Sequence, residues 1–208
     1  MTNPCQEFIP YGKHQVSEED IDSVVDVLKH KFLTQGDLVP EFEFQLSAKV
    51  NAKYGVAVNS ATSALHLACL ALGVGKGDSV WTVSTTFVAS ANCALYCDAT
   101  IDFVDINYET GLMCIDHLAL KLDQARMNNT IPKVIIPVHL AGKSCDLIKI
   151  KALADKYGFK IIEDASHALG ASYLDDMVGS CRFSDMTVFS FHPVKMITSG
   201  EGGMIVTN

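Results

Sequence analysis

Short apolar runs rich in Val, Ile and Phe alternate along this chain with segments whose apolar residues recur at helical spacing. The clearest helix is SEEDIDSVVDVLKHK, residues 17–31: Ser17 can cap the first turn, Glu18, Glu19 and Asp20 suit its positive end, and Ile21, Val24, Val25 and Leu28 share one face. A second helix is expected over PEFEFQLSAKVNAKY. The strand YGVAVN follows, then a third helix, SATSALHLACLALG, with Gly73 placed as a left-handed C-cap. Beyond it come the strand SVWTVS, a helix around FVASANCALYC, the strands TIDFVDI and KVIIPVHL, a helix over LIKIKALADKYG, and the strands FKIIEDA, MTVFSFH and GGMIVTN. Seven strands result, several of them apolar at consecutive positions, as occurs when helices cover both faces of a sheet. Helical crossovers between them imply mostly parallel pairing. The expected architecture is a three-layer α/β/α domain, in which ligands collect at the carboxyl ends of the strands.

Composition narrows the function classes. With 208 residues, 49% hydrophobic and 19% charged, the chain can bury a substantial core. A formal charge of −8 and the lack of any Lys/Arg stripe argue against a nucleic-acid partner. The opening MTNPCQEFIPYGKH is not a charged segment leading into an apolar core, and no apolar run approaches the roughly 18 residues needed to span a bilayer. No membrane partner and a cytoplasmic location are expected. Seven scattered cysteines (Cys5, Cys69, Cys93, Cys97, Cys114, Cys145, Cys181) read as reduced core residues. Cys93 and Cys97 lie one helical turn apart, but no second pair stands nearby to complete a metal site.

Three strands end in polar clusters that could converge. After YGVAVN, the residues Ser60, Ala61 and Thr62 open a helix whose free N–H groups, dipole and hydroxyls can hold a phosphate, although Ser60 or Thr62 could equally serve as an ordinary cap. Asp164 ends the apolar strand FKIIEDA, where a carboxylate needs a cationic or hydrogen-bonding partner. A pyridinium nitrogen is one such partner; capping a helix that starts at Ala165 or Ser166 is another use. Lys195 sits in the loop PVKMITSGEGG. There, desolvation and nearby positive charge would lower its pKa and free a neutral amine, while a surface turn is the commoner fate of a lysine. Ser190 is either a strand residue or a further phosphate ligand. GVGKGD, at residues 73–78, follows a helix and precedes a strand, the reverse of a dinucleotide fingerprint. It reads as a helix stop and turn, which disfavours a nicotinamide-linked dehydrogenase.

The clusters, in this order and spacing, resemble the DegT/DnrJ/EryC1/StrS family of sugar aminotransferases. The resemblance rests on NSATSALHLA (59–68), DASHALGASY (164–173) and FSFHPVKMITSGEGGMIVTN (189–208), supported by PVHLAGKSCD (137–146) and FLTQGDLVPEFE (32–43). It implies the large domain of the fold type I pyridoxal-phosphate-dependent transferases over residues 36–208, preceded by an arm and helix over 1–35. Pyridoxal 5′-phosphate is the implied cofactor. Carried over by residue, the pattern makes Lys195 the Schiff-base lysine and Asp164 the partner of the pyridine nitrogen. Ser60, Ala61, Thr62 and Ser190 surround the phosphate, His167 lies near the ring, and Phe87 stacks on it as well as packing in the core. His192 is left as shaping the turn before Pro193.

Lysine at position 195, in place of the histidine of a dehydrating branch, implies transamination. The resemblance is strongest to the branch that aminates C4 of UDP-linked 4-keto-6-deoxy-N-acetylhexosamines on the route to pseudaminic acid, a polysaccharide precursor. It implies a nucleotide-sugar substrate, glutamate as amino donor and a homodimer. Because family members are nearly twice as long, a truncation is expected, with the small C-terminal domain absent. That leaves open a second reading, a non-catalytic module kept for cofactor binding or subunit assembly.

Overall fold

In the computed structural model, which describes Pro10 and residues 12–208, the chain opens with α1 (Glu18–His30), α2 (Leu38–Val50), β1 (Tyr54–Val58) and α3 (Ala61–Ala71). It continues through β2 (Ser79–Val83), α4 (Ala89–Leu95), β3 (Thr100–Val104), α5 (Ile115–Met127), β4 (Val134–Ile135), α6 (Leu147–Tyr157) and β5 (Lys160–Asp164). A small hairpin, β6 (Ser172–Tyr173) with β7 (Asp176–Met177), precedes β8 (Met186–Ser190) and β9 (Gly203–Thr207). Seven strands form one sheet in the order β1-β9-β8-β5-β4-β2-β3. β3, β2, β4, β5 and β8 pair in parallel, and β9 runs antiparallel between β1 and β8. The seven strands expected from the apolar runs are those of the sheet.

Helices cover both faces, which explains why the strands read as continuous apolar runs. Adjacent side chains of one strand enter different cores: Ile162 and Val134 pack under α3 and α4 with Leu65 and Cys93. Ile161 and Ile135 pack with Leu118, Leu122 and Ile150 of α5 and α6. Of the cysteines, Cys69, Cys93, Cys97, Cys145 and Cys181 are buried and Cys114 is half-buried; Cys5 lies outside the described residues.

Local chemistry moved several element boundaries. The second helix stops at Val50, not Tyr54, because Asn51 adopts a left-handed conformation (φ 61°) and its N–H turns back to Ala48. KVIIPVHL forms a continuous ladder only at Val134 and Ile135, with one isolated bridge of Val138 to Asp164 further on, since Pro137 has no N–H to donate; its carbonyl still accepts from Asp164 N–H at 2.9 Å. α5 was not foreseen: its N-cap is Cys114, which makes no side-chain capping bond, so the usual start signal is missing. Ser17 and Asp20 do form the capping box of α1. Yet no residue of α1 is buried, and its apolar stripe of Ile21, Val24 and Leu28 is exposed.

The two acids at the end of β5 point to opposite faces, as the strand period requires. Glu163, on the α6 side, is buried with His139, whose Nδ1 accepts from Cys145 N–H at 3.1 Å and whose Nε2 therefore donates to Glu163 Oε2 at 2.7 Å. Ser184 and Thr187 hydroxyls donate to the other oxygen. This knot ties the β4–α6 connection to β5 and β8. Replacing Glu163 by Ala strands the buried donors of His139 and Thr187 and the half-buried Ser184 hydroxyl, and the Glu163→Ala variant is expected to lose about 3 kcal/mol of stability in urea unfolding. A loss under about 1 kcal/mol would mean that the donors find other partners.

Candidate functional site

The site begins with Asp164, 4% exposed at the carboxyl end of β5 on the α3 and α4 side. A buried carboxylate must be met by donors, and three are aimed at it. Oδ2 accepts from Ser90 Oγ of α4 at 2.6 Å; Oδ1 accepts from Ser166 Oγ at 2.7 Å and Ser166 N–H at 3.1 Å. An ionised carboxylate offers about four acceptor positions. Oδ1 is saturated, and one position on Oδ2 is open to a donor arriving from the adjoining cavity. The turn bond to Ser166 N–H is the capping use expected of this residue, but no helix follows it.

That cavity, of about 560 Å³, lies at the carboxyl ends of the parallel strands. Ser60, Ala61 and Thr62 line one part of it, at the N-terminus of α3. Ser60 is the N-cap: its Oγ accepts from Ser63 N–H at 3.1 Å, so the capping use of this serine is realised. The N–H groups of Ala61 and Thr62 have no intrahelical carbonyl and are available to an anion. β9 passes directly beneath this turn at Gly203, where a Cβ would collide with the backbone of Ser60 and Ala61. Ser190, buried at the end of β8 and paired with Gly203, also lines the cavity.

Lys195 lies in the loop joining β8 to β9. Its N–H bonds His192 O at 2.9 Å, and the loop is closed on Phe191 by Thr198 Oγ1 at 2.8 Å and by Phe191 N–H to Gly202 O at 2.9 Å. Burial holds the Lys195 amine below the ordinary lysine range, against the opposing pull of the Asp164 carboxylate. Desolvation therefore acts as the sequence suggested. The neighbouring charge has the opposite sign to the one anticipated.

His167 lies in the same cavity. Its pKa is held low by burial and then by the Lys195 charge, with Asp164 opposing. His167 Nδ1 accepts from Ala141 N–H at 3.4 Å, so the neutral ring carries its proton on Nε2. Phe87 stands at the rim, 71% exposed, rather than in the core. His192 lines the cavity as well, and its Nδ1 accepts a long bond from Val194 N–H at 3.5 Å, within the turn around Pro193.

All eight residues singled out from the sequence thus reach one cavity. Thr86 and Ser166 line the cavity beside them, and Ser90 reaches it through Asp164, although none of the three stands out in the sequence as a site residue. Ser90 had a usable signal: it interrupts the apolar stripe of α4 formed by Ala89, Cys93 and Ala94, where a buried hydroxyl requires a partner. Chemically, the cavity pairs an anion-binding helix terminus with a depressed amine and an open carboxylate acceptor. That set suits a phosphorylated, aldehyde-bearing aromatic base such as pyridoxal 5′-phosphate.

Fold and site together define an α/β protein with a cavity of about 560 Å³ at the carboxyl edge of a mostly parallel sheet. The chain belongs to the DegT/DnrJ/EryC1/StrS aminotransferase family, whose model matches residues 14–208. It is 40% identical over 208 residues to the spore coat polysaccharide biosynthesis protein SpsC of Bacillus subtilis, covering 100% of this chain and 51% of that protein. It is 42% identical over 201 residues to the UDP-4-amino-4,6-dideoxy-N-acetyl-beta-L-altrosamine transaminase of Campylobacter jejuni, covering 97% and 52%. Among solved structures, Helicobacter pylori PseC, an aminotransferase involved in pseudoaminic acid biosynthesis, superposes with a TM-score of 0.87 at 34% identity, over 96% of this chain and 52% of that one. The putative sugar aminotransferase Spr1654 from Streptococcus pneumoniae, in its PMP form, gives 0.87 at 35% identity, over 97% and 52%. The chain spans about half the length of the curated relatives it matches.

Proposed function

We propose that this chain carries the cofactor site of a pyridoxal-phosphate-dependent sugar aminotransferase, which moves an amino group from glutamate to C4 of a nucleotide-linked 4-keto-6-deoxy sugar. The observation that carries the reading is that a single cavity unites Lys195, Asp164 and the N-terminus of α3. When bound, the cofactor supplies a reactive aldehyde and a ring that stores the electron pair released from substrate. The N–H groups of Ala61 and Thr62, the α3 dipole and the Ser190 hydroxyl bind its phosphate. Asp164 Oδ2, whose remaining acceptor position is open, would receive the ring N–H, and Phe87 at the cavity rim would cover the ring. Lys195 Nζ, kept neutral more readily by burial, would be the amine that meets the aldehyde group and the base that could take and return a proton there. His167 Nε2–H would be the donor for the ring's phenolic oxygen.

We assign residues 36–208 to the cofactor-binding domain and 1–35 to an N-terminal arm and helix. Exposed Ile21, Val24, Leu28, Phe32 and Leu33 support self-association, most simply as a homodimer. Among the described residues no helix is long and apolar enough to cross a membrane, and we place the protein in the cytoplasm. The name of the Campylobacter relative supports the substrate class.

Pyridoxal 5′-phosphate added to the purified chain is expected to yield a visible absorption band, and glutamate is expected to convert it to the pyridoxamine form. A band that forms but resists glutamate would favour the second reading, a non-catalytic module.

A further inference from the structure

Asp164 is one end of a line of hydroxyls. Ser90 Oγ lies 2.6 Å from Asp164 Oδ2, and Thr86 Oγ1, in the bend that leads into α4, lies 2.8 Å from Ser90 Oγ. The direction of the bonds follows from valence. A carboxylate only accepts, so Ser90 must donate to it; a serine has one proton, so the bond to Thr86 must be donated by Thr86. The line therefore runs from Thr86 through Ser90 to Oδ2, and each bond polarises the next. Ser90 is fully buried, and both Thr86 and Asp164 line the cavity.

Oδ1 is saturated by the two Ser166 donors, so the only acceptor position left for a cavity ligand is on the oxygen that Ser90 holds. Rotation of the carboxylate about its Cβ–Cγ bond would break bonds on both oxygens at once. The Ser166 bonds belong to the local turn. The Ser90 bond ties the acid across layers to α4 and sets the direction in which the open lone pair points.

We propose that Ser90, backed by Thr86, is a positioning residue that aims Asp164 Oδ2 at the ring nitrogen of the cofactor. The proposal rests on the cofactor reading above. It concerns neither the phosphate end nor Lys195, so it can fail alone.

The test compares equilibrium binding of pyridoxal 5′-phosphate with that of its 1-deaza analogue, which keeps the aldehyde and phosphate but has carbon in place of the ring nitrogen. Wild type is expected to prefer the natural cofactor. In Ser90→Ala, affinity for pyridoxal 5′-phosphate should fall roughly tenfold, the scale of one hydrogen bond to a charged group, while affinity for the analogue changes by less than about twofold. The nearly isosteric Thr86→Val, at a half-buried position, should shift the same preference in the same direction by a smaller factor; it carries the test should Ser90→Ala not fold. Equal weakening of both ligands would reduce Ser90 to a structural residue and overturn the proposal. So would an unchanged preference in both variants, or a wild type that binds the two ligands alike; either result leaves the lysine and phosphate contacts standing. A wild type that binds neither ligand overturns the cofactor reading itself, and this inference with it.

Discussion

Lys195→Ala is expected to abolish the visible band that pyridoxal 5′-phosphate develops with the wild-type chain and to slow conversion by glutamate about a thousandfold or more. No other group in the cavity can replace it: His167 is too weak a nucleophile in its neutral form, and an alanine offers no amine. The variant should still fold. Lys195 lies in a loop whose closure depends on Phe191, Thr198 and Gly202, none of which needs the lysine side chain. Far-ultraviolet circular dichroism checks that point, and absorption after cofactor addition checks the chemistry. The pH dependence has a definite sign. Only the neutral amine bonds an aldehyde, and burial lowers the Lys195 pKa. The rate of band formation in wild type should therefore climb through a midpoint below the ordinary lysine value, and additional surface-lysine adducts should appear only at higher pH. A band of full intensity in Lys195→Ala would remove this lysine from the site.

Gly203→Ala is expected to damage the phosphate end of the cavity through the backbone alone. A Cβ at this position meets Ser60 O at 2.6 Å and comes closer still to Ala61 N and the Ser60 carbonyl carbon. None of these is a flexible side-chain tip that can swing aside. Gly203 itself is pinned between Ser190 of β8 and Val58 of β1 in the sheet ladder, so the first turn of α3 must yield. We expect a stability loss of about 1–3 kcal/mol in urea unfolding, the usual cost of overpacking. Affinity for pyridoxal 5′-phosphate should fall toward that for unphosphorylated pyridoxal, because the displaced N–H groups of Ala61 and Thr62 no longer converge. If the two ligands keep their wild-type ratio of affinities, this turn does not hold the phosphate.

These two substitutions sit at opposite ends of what the sequence made legible. Lys195 could be singled out because a lysine just beyond an apolar strand is chemically conspicuous, and because FSFHPVKMITSGEGG resembles a family pattern. Gly203 could not: GGMIVTN reads as the start of a strand, and nothing local says that α3 lies within a methyl group of it. The same contrast holds inside β5. Glu163 and Asp164 are adjacent acids, and only the sheet assigns one to a structural knot with His139 and the other to the cavity floor.

By itself the sequence determined the elements that local physics controls. The capping box of α1, the left-handed stop at Gly73 and the apolar runs of the seven strands all depend on neighbours within a few residues. It also supplied the eight side chains that reach the cavity. Tertiary structure decided what depends on distant partners. β4 shrank to two residues beside Pro137. The charge facing Lys195 proved to be the carboxylate of Asp164, and Ser90 became part of the site because α4 packs over the end of β5. A hydrogen bond between residues 74 positions apart leaves no periodic trace in a single sequence; it exists only once burial forces each polar group to find its partner.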